Sequence, residues 1–202
     1  MIKLYGHPVS TCTRKVLTAL AETNTPHEFV VVDITKAEHK QAPHLARQPF
    51  GQVPAMDDDG FALHECRAMA RYISEKAGGK LVPTDMKKRA EMEQWISIEM
   101  SYFTPHAMTF IYHHIFKATQ SQAALDAAKT SLESCLKVMN DHLAKSTMFV
   151  GNDFTVADIC FMPYVGYCLA TPAKEILSKY PHVMSWWNRV SERPSWRKAT
   201  GN

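Results

Sequence analysis

The sequence predicts an α/β domain followed by an all-α domain, and three features support this division. The first 80 residues combine short apolar runs with one amphipathic stretch, the pattern of a βαβ unit followed by a hairpin. The segment 79–86 has the composition of a linker. Beyond it, apolar residues recur at helical spacing to the end of the chain. We therefore expect domains at 1–78 and 87–202, joined by a linker at 79–86.

The elements of the first domain follow from its apolar pattern. Ile2–Tyr5 is a short strand and Thr13–Leu20 is amphipathic with helical period. Phe29–Val32 is an unbroken apolar run, typical of a buried strand, and right-handed crossover makes it a parallel neighbour of the first strand. The Asp-Gly turn in Asp57–Gly60 predicts an antiparallel hairpin. Helical spacing over Glu65–Lys76 then adds a helix to a mixed sheet.

The second domain is predicted to be helical throughout. A long helix begins before Met92, and Pro105 should kink it without ending it, because apolar residues continue to Phe116. A second helix covers the apolar positions from 125 to 143. Thr155–Asp158 is an Asp variant of the capping box, which predicts the start of a third helix.

Composition excludes several classes of partner. The 202-residue chain has a formal net charge of +3, which is too small and too dispersed to favour nucleic acid or a membrane surface. We find neither a signal-peptide pattern nor an apolar run that could span a bilayer. The five cysteines form no CxxC motif, and their odd number argues against a disulfide framework. We expect free thiols and a cytoplasmic protein with no nucleic-acid or membrane partner.

The segment from Gly6 to Ser10 places a hydroxyl at the start of the first helix. Helix N-termini hold anions well, because the macrodipole and unpaired backbone N–H groups face them there. Such a position suits a thiolate. The residues alone leave open the simpler role of Ser10 as a helix N-cap.

Several segments, taken in order, resemble the glutathione S-transferases, and most closely the phi class. The resemblance covers essentially the whole chain. It implies a thioredoxin-like N-terminal domain with a mixed sheet, a helical-bundle C-terminal domain, a homodimer and a role in detoxification. The segments are Gly6-His7-Pro8-Val9-Ser10, Glu38-His39-Lys40, Pro49-Phe50-Gly51-Gln52-Val53-Pro54, His64-Glu65-Cys66-Arg67-Ala68, Thr155–Asp158, Tyr180-Pro181-His182-Val183 and Glu192-Arg193-Pro194.

The resemblance implies a catalytic role for Ser10, whose hydroxyl would hydrogen-bond the glutathione sulfur and stabilise its thiolate. Glutathione is then a cosubstrate, and we expect no further cofactor and no metal. The phi class usually has Ser where this chain has Cys66, so we expect weaker glutathione binding. The implied glutathione-binding residues are His39 and Lys40 for the glycyl carboxylate, Val53 and a cis Pro54 for the cysteinyl part, and Gln52, Glu65 and Cys66 for the γ-glutamyl end.

The same resemblance implies an apolar pocket for the second substrate in a cleft between the domains. Tyr112 and Phe116 are one helical turn apart, a spacing that without the resemblance more often marks a helix core. The ten histidines include His113-His114, but no carboxylate or cysteine lies at metal-ligand spacing. The expected pocket residues are Val9, Thr11, Ile34, Tyr112 and Phe116.

The expected activity is conjugation of glutathione to small, apolar, electrophilic compounds, with reduction of organic hydroperoxides as a close variant. Two other classes stay open. Cys12, in a basic neighbourhood with Arg14 and Lys15, could itself act as the thiol of a cysteine-type glutathione-dependent thiol transferase. The fold could also serve a non-catalytic ligand carrier or interaction protein.

Overall fold

The computed structural model describes residues 1–201, which form two compact units. The first comprises Met1–Val82 together with the described residues from Arg193 onward, and the second comprises Pro83–Glu192. The division at Val82 lies inside the predicted linker. The end of the chain differs from the prediction, which placed it in the helical domain. It joins the first unit because Arg193 and Ser195 hydrogen-bond the carboxylate of Glu22.

A four-stranded mixed sheet forms the centre of the first unit. Strand β1 runs parallel to β2 and antiparallel to β3, which pairs antiparallel with β4, so the order is β2-β1-β3-β4. The predicted mixed sheet is confirmed, including the hairpin at Asp59-Gly60, whose residues have φ of 52° and 93°. The strands are β1 (Ile2–Gly6), β2 (His27–Val31), β3 (Ala55–Asp58) and β4 (Phe61–His64).

The predicted burial of the Phe29–Val32 run is wrong in part. Strand β2 lies at an edge of the sheet, and Val31 is 57% exposed whereas Val32 is buried. An unbroken apolar run is typical of a central strand with both faces covered. Here the apolar run Phe29–Val32 belongs to an edge strand, and the chain continues from it into the segment that contains Lys40.

The helices of the first unit are α1 (Thr11–Glu22), α2 (Ala42–Leu45), α3 (Cys66–Lys76) and α10 (Pro194–Thr200), with a 3-10 turn at Glu38–Lys40. Both α3 and α10 pack against α1. Val16 and Leu20 of α1, and Met69 and Ile73 of α3, are fully buried. This core fixes the start of α1 relative to the start of α3.

The second unit contains only helices among its elements, as predicted: α4 (Met86–Ile98), α5 (Thr104–His114), α6 (Gln122–Leu143), α7 (Val156–Cys168), α8 (Ala173–Leu177) and α9 (Pro181–Ser191). A π-helical segment, Glu99–Phe103, joins α4 to α5, and Pro105 lies in the first turn of α5. The helical path therefore continues past Pro105, as expected, but α5 ends at His114 and not at Phe116. Within residues 1–201, no helix has both the length and the apolar character that crossing a membrane requires.

The predicted capping box at the start of α7 is confirmed. The hydroxyl of Thr155 accepts the N–H of Ala157 at 3.2 Å, and the Asp158 carboxylate accepts the N–H of Thr155 at 2.9 Å. Asp158 also accepts hydrogen bonds from the Phe149 N–H and the Trp186 indole at 3.2 and 2.8 Å. The cap therefore anchors three segments of the second unit around one buried carboxylate.

Candidate functional site

Three segments with predicted site residues converge at one end of the sheet. Tyr5 of β1 lies opposite Ala55 of β3, and Ala55 lies opposite His64 of β4. The end of β1, the start of β3 and the end of β4 therefore lie side by side. The adjoining segments carry Ser10, Pro54 and Cys66, respectively.

A close contact between Gly6 and Thr13 shapes the turn that leads to Ser10. A Cβ atom on Gly6 would lie 2.7 Å from both Cγ2 and Oγ1 of Thr13, so this position requires glycine. The Thr13 hydroxyl accepts the N–H of His7 at 3.3 Å, and Arg14 Nε donates to the carbonyl of Pro8 at 2.9 Å. The first turn of α1 thus holds the preceding loop in place.

Ser10 is the N-cap of α1. Its Oγ accepts the backbone N–H of Thr13 at 3.3 Å, and its own N–H donates to the His7 carbonyl at 2.9 Å. The cap bond uses the hydroxyl as an acceptor, so the hydroxyl proton is still available for an anion at this helix end. The side chain is half-buried. Capping and anion binding are therefore compatible roles for this residue.

Lys40 and His39 lie against the loop that contains Gln52. Lys40 Nζ donates to the carbonyl of Phe50 at 3.2 Å. Gly51 has a φ of +59°, and a Cβ there would lie 2.8 Å from Lys40 Cδ and 3.0 Å from the His39 carbonyl oxygen. Partial burial, with the charges of Lys40 and His44, lowers the pKa of His39. His39 is therefore a neutral partner beside Lys40 at neutral pH.

Sequence reasoning missed two residues that hold the backbone of Gln52. His44 Nε2 donates to the Gln52 carbonyl at 2.6 Å, and Gln48 Oε1 accepts the Gln52 N–H at 3.2 Å. Both side chains are buried, whereas Gln52 is exposed. Their spacing of four residues is the signal in the sequence, and it is weak because many surface residues share it.

The Val53–Pro54 peptide bond is cis, so the cis proline implied by the family resemblance is confirmed. Pro54 is buried and Val53 is half-buried. Val53 lies two residues before Ala55, the first paired residue of β3. Its backbone N–H and C=O therefore lie outside the strand ladder, where an extended peptide could pair with them.

Glu65 and Cys66 form the junction between β4 and α3. Glu65 has φ 73° and ψ 102°, a positive-φ conformation that is strained for a residue with a side chain. Cys66 is the first residue of α3, so its N–H has no partner within the helix. The Cys66 side chain is 3% exposed, and its thiol hydrogen-bonds the thiol of Cys12. That bond and burial raise the pKa of Cys66 well above its ordinary value.

The residues expected for the second substrate differ in exposure within the first unit. Val9 is 37% exposed and Ile34 is half-buried, so both present apolar surface. Thr11, the first residue of α1, is only 8% exposed. Thr11 therefore offers little surface to a ligand, in contrast to the expectation.

In the second unit, Tyr112 and Phe116 form a surface aromatic pair. Their ring centroids are 6.0 Å apart, and the Phe116 ring lies 5.8 Å from that of Tyr167. Tyr112 is 46% exposed and Phe116 is 37% exposed. The alternative reading of this pair as helix core is therefore wrong, and the pair presents apolar area to solvent.

Comparison with known proteins supports the assignment made from the residues. The family model described as the glutathione S-transferase N-terminal domain matches residues 1–75, and the corresponding C-terminal domain model matches residues 100–194. Glutathione S-transferase F7 of Arabidopsis thaliana is 35% identical over 204 residues, which cover 98% of this chain and 98% of the relative.

Two solved structures show the same similarity. Glutathione transferase F7 from Populus trichocarpa is 33% identical with a TM-score of 0.94, covering 100% of this chain and 98% of its own. Glutathione S-transferase I from maize, in complex with an atrazine glutathione conjugate, is 31% identical with a TM-score of 0.91, covering 99% of this chain and 96% of its own. The chain therefore belongs to the glutathione S-transferase family, a family of transferases, and over its full length it is similar to the plant phi class.

Proposed function

We propose that this protein conjugates reduced glutathione to small, apolar, electrophilic compounds, with Ser10 as its catalytic residue. The observation that carries the proposal is the hydrogen bonding of Ser10. Its oxygen caps α1 as an acceptor, which leaves the hydroxyl proton for an anion at the positive end of the helix. A glutathione sulfur bound there would be held as a thiolate.

One hydroxyl can supply the free energy needed to lower the pKa of the glutathione thiol. Lowering the pKa of a thiol by about two units from ~8.5 requires roughly 2.7 kcal/mol of preferential stabilisation of the thiolate. A hydrogen bond to a charged group contributes about 1.5–3 kcal/mol. The thiolate then attacks the electrophilic carbon of the second substrate, forming the C–S bond as the leaving group departs with its electron pair. Binding both reactants adds a contribution from proximity.

The other residues proposed to bind glutathione match its chemical groups. Lys40 supplies a cation for the glycyl carboxylate, with His39 as a neutral hydrogen-bonding partner. Val53, ahead of Pro54, offers its N–H and C=O to the cysteinyl part. Gln52, the strained Glu65 and the N–H of Cys66 at the start of α3 would hold the γ-glutamyl end. Their convergence at one end of the sheet supports this proposal.

Two apolar surfaces, each within one unit, are proposed to bind the second substrate. Val9 and Ile34 do so in the first unit, and the Tyr112–Phe116 pair does so in the second. We assign glutathione binding to residues 1–78 and part of the electrophile-binding surface to residues 87–202. Organic hydroperoxides are a further proposed substrate class. The thiolate would attack the peroxide oxygen to release an alcohol, and a second glutathione would complete the formation of glutathione disulfide and water.

We also propose a homodimer in the cytoplasm. A groove of about 470 Å³ on the second unit is lined by side chains that include the exposed Tyr102 and Val138. Phe50 of the first unit is 68% exposed. Apolar groups exposed in this way favour association with a second copy. No disulfide joins any of the five cysteines within residues 1–201, which fits a reducing compartment. Sedimentation of the purified chain at micromolar concentration should give the mass of a dimer.

Steady-state kinetics with an activated aryl halide and with a mixed disulfide, together with a measurement of glutathione binding, tests the proposed activity against the two alternatives. An activated aryl halide should be conjugated to glutathione, and Ser10→Ala should remove most of that rate. A mixed disulfide reduced faster than the halide is conjugated, with the rate lost in Cys12→Ser, would favour the cysteine-type thiol transferase. Glutathione binding with no turnover of any substrate would favour a carrier.

A further inference from the structure

Two cysteines that are far apart in the sequence meet in the first unit. Cys12 is the second residue of α1, Cys66 is the first residue of α3, and their thiols are hydrogen-bonded to each other. The packing of α1 against α3 holds them together. The other three cysteines, Cys135, Cys160 and Cys168, are buried in the second unit.

The two thiols differ in accessibility. Cys12 is partly exposed, whereas Cys66 is 3% exposed. A soluble disulfide can therefore reach Cys12 first, and Cys66 is reached through Cys12. This is the arrangement of an attacking thiol and a resolving thiol.

Their hydrogen bond favours the same division of roles. The bond to Cys12 and burial raise the pKa of Cys66, so Cys66 stays a protonated thiol in the resting protein. The positive charges of Lys15 and Arg67 act in the opposite sense on Cys66 and favour its ionisation. Lys15 is fully buried, so its field is weakly screened by solvent.

We propose that Cys12 and Cys66 form a thiol–disulfide exchange pair that reacts with glutathione disulfide. The Cys12 thiolate attacks one sulfur of glutathione disulfide, the S–S bond breaks, and one glutathione leaves as a thiolate. The Cys66 sulfur then attacks the Cys12 sulfur, the bond between Cys12 and glutathione breaks, and the proton of Cys66 passes to the departing sulfur, so the second glutathione leaves as a thiol. In total, two protein thiols are oxidised to one intramolecular disulfide, and one glutathione disulfide is reduced to two glutathione molecules.

Formation of this disulfide would alter the neighbouring glutathione site. An S–S bond is about 2 Å long, shorter than the contact between two hydrogen-bonded thiols, so its formation draws the Cys12 and Cys66 sulfurs together. Ser10 lies two residues from Cys12, and the Cys66 N–H is itself a proposed ligand group. We expect the oxidised protein to bind glutathione several-fold more weakly. This consequence rests on the proposed function, whereas the thiol chemistry does not.

Peptide mass spectrometry of the full chain tests the proposal directly. The protein is incubated with glutathione disulfide, quenched in acid, alkylated and digested. We expect a Cys12–Cys66 cross-linked peptide that disappears with excess reduced glutathione. In Cys66→Ser the reaction should stop at a mixed disulfide on Cys12. In the control Cys135→Ser the cross-link should form as in the parent chain.

Two results would overturn the proposal. One is a persistent mixed disulfide on Cys12 of the parent chain with Cys66 alkylated, and the other is recovery of both residues in alkylated form. Conjugation measured on the reduced protein of the same preparation keeps the two proposals separate: a cross-link formed by a protein that does not conjugate would contradict the transferase proposal alone. Calorimetric titration of the oxidised and the reduced protein with S-methylglutathione, which has no free thiol to reduce the cross-link, then tests the loss of affinity, which equal affinities in both redox states would contradict.

Discussion

The hydroxyl oxygen of Ser10 lies 3.3 Å from the backbone nitrogen of Thr13 and accepts its N–H as the N-cap of α1. One atom therefore ends the preceding loop, stabilises the helix and keeps a proton at the position where an anion is held best. An experiment on Ser10 must separate the loss of a helix cap from the loss of a catalytic hydrogen bond.

Ser10→Ala should lower kcat/KM for conjugation by about 100-fold, because one donor to a developing or stabilised anion is worth roughly 2.7–4 kcal/mol. Its affinity for glutathione should stay within a few-fold, since the hydroxyl contacts the sulfur and not the carboxylates. Ser121 provides a matched control, because it caps α6 by accepting the Ala124 N–H at 3.2 Å. Ser121→Ala should lose similar stability, about 1 kcal/mol, with conjugation intact. Equal losses of activity in both variants would make Ser10 a cap only.

Cys66→Ser should tighten glutathione binding several-fold under reducing conditions. A hydroxyl is a better donor than a thiol, and a hydrogen bond to a carboxylate contributes about 1.5–3 kcal/mol when well formed. KM for glutathione should fall while kcat barely changes, because the bond is the same in the ground and transition states. Isothermal titration of the reduced proteins measures the effect. Unchanged or weaker affinity would mean that Cys66 acts through its backbone alone.

Asp158 should make the second unit less stable as pH rises from about 4 to 6. Burial raises the pKa of Asp158 to about 6, although its hydrogen bonds from Thr155, Trp186 and Phe149 act in the opposite sense. In the unfolded state the pKa of Asp158 is the ordinary value of 3.8, so between about pH 4 and 6 the native state binds more protons than the unfolded state. The free energy of unfolding therefore falls as pH rises through this window. Asp158 alone should lower the free energy of unfolding by about 3 kcal/mol across this pH range.

Asp158→Asn should remove that pH dependence and also weaken the unit at neutral pH, because an amide has one acceptor oxygen where the carboxylate has two. Urea unfolding followed by tryptophan fluorescence between pH 4 and 7 compares the two proteins. Asp153→Asn is the control, since Asp153 is exposed in an ion pair with Lys88 at 2.7 Å and should matter little. Parallel stability curves for the parent chain and Asp158→Asn would contradict the assignment.

Arg193→Leu should destabilise the first unit by roughly 2–4 kcal/mol, because it leaves a buried carboxylate without its main partner. Arg193 donates to both oxygens of Glu22 at 2.6 and 2.9 Å, and the Ser195 hydroxyl donates to one of them at 2.5 Å. Burial alone would raise the pKa of Glu22, but these bonds and the charges of Arg193 and Lys80 outweigh it and hold the pKa below 4.5. The stabilisation should therefore disappear in the parent chain as pH falls through that lowered pKa.

Thermal unfolding of Arg193→Leu, with the exposed Arg189→Leu as the matched control, measures this effect. Adding Glu22→Gln to Arg193→Leu should recover part of the loss, because the unpaired charge is then removed. A double variant no more stable than Arg193→Leu would show that the ion pair is not the cause.

Local signals in the sequence were sufficient for much of the fold. Some features depend only on residues within a few positions of one another, so the local sequence predicts them. They are the Asp59-Gly60 turn, the Thr155 cap and the strand and turn that lead to Ser10 at the start of α1. The positions of Cys66 and Glu65 at the start of α3 followed from the same kind of pattern together with the family resemblance.

Contacts between distant segments could not be read in this way. The Cys12–Cys66 contact depends on how α1 packs on α3, and the Glu22–Arg193 pair joins the two ends of the chain. Thr11 was expected in a ligand pocket and is buried, because the local sequence does not state how much of a residue at a helix start will be covered by distant segments. Val31 is exposed because an apolar run does not state whether its strand lies at an edge.

The most direct test of the central claim is the titration of glutathione bound to the protein, followed by the ultraviolet absorbance of its thiolate. With the parent chain, the bound thiol should titrate about two units below the free value of ~8.5. With Ser10→Ala at saturating glutathione, it should return close to that free value, whereas Ser121→Ala should behave as the parent chain does. A bound thiol that titrates near the free value in the parent chain would contradict thiolate stabilisation by Ser10.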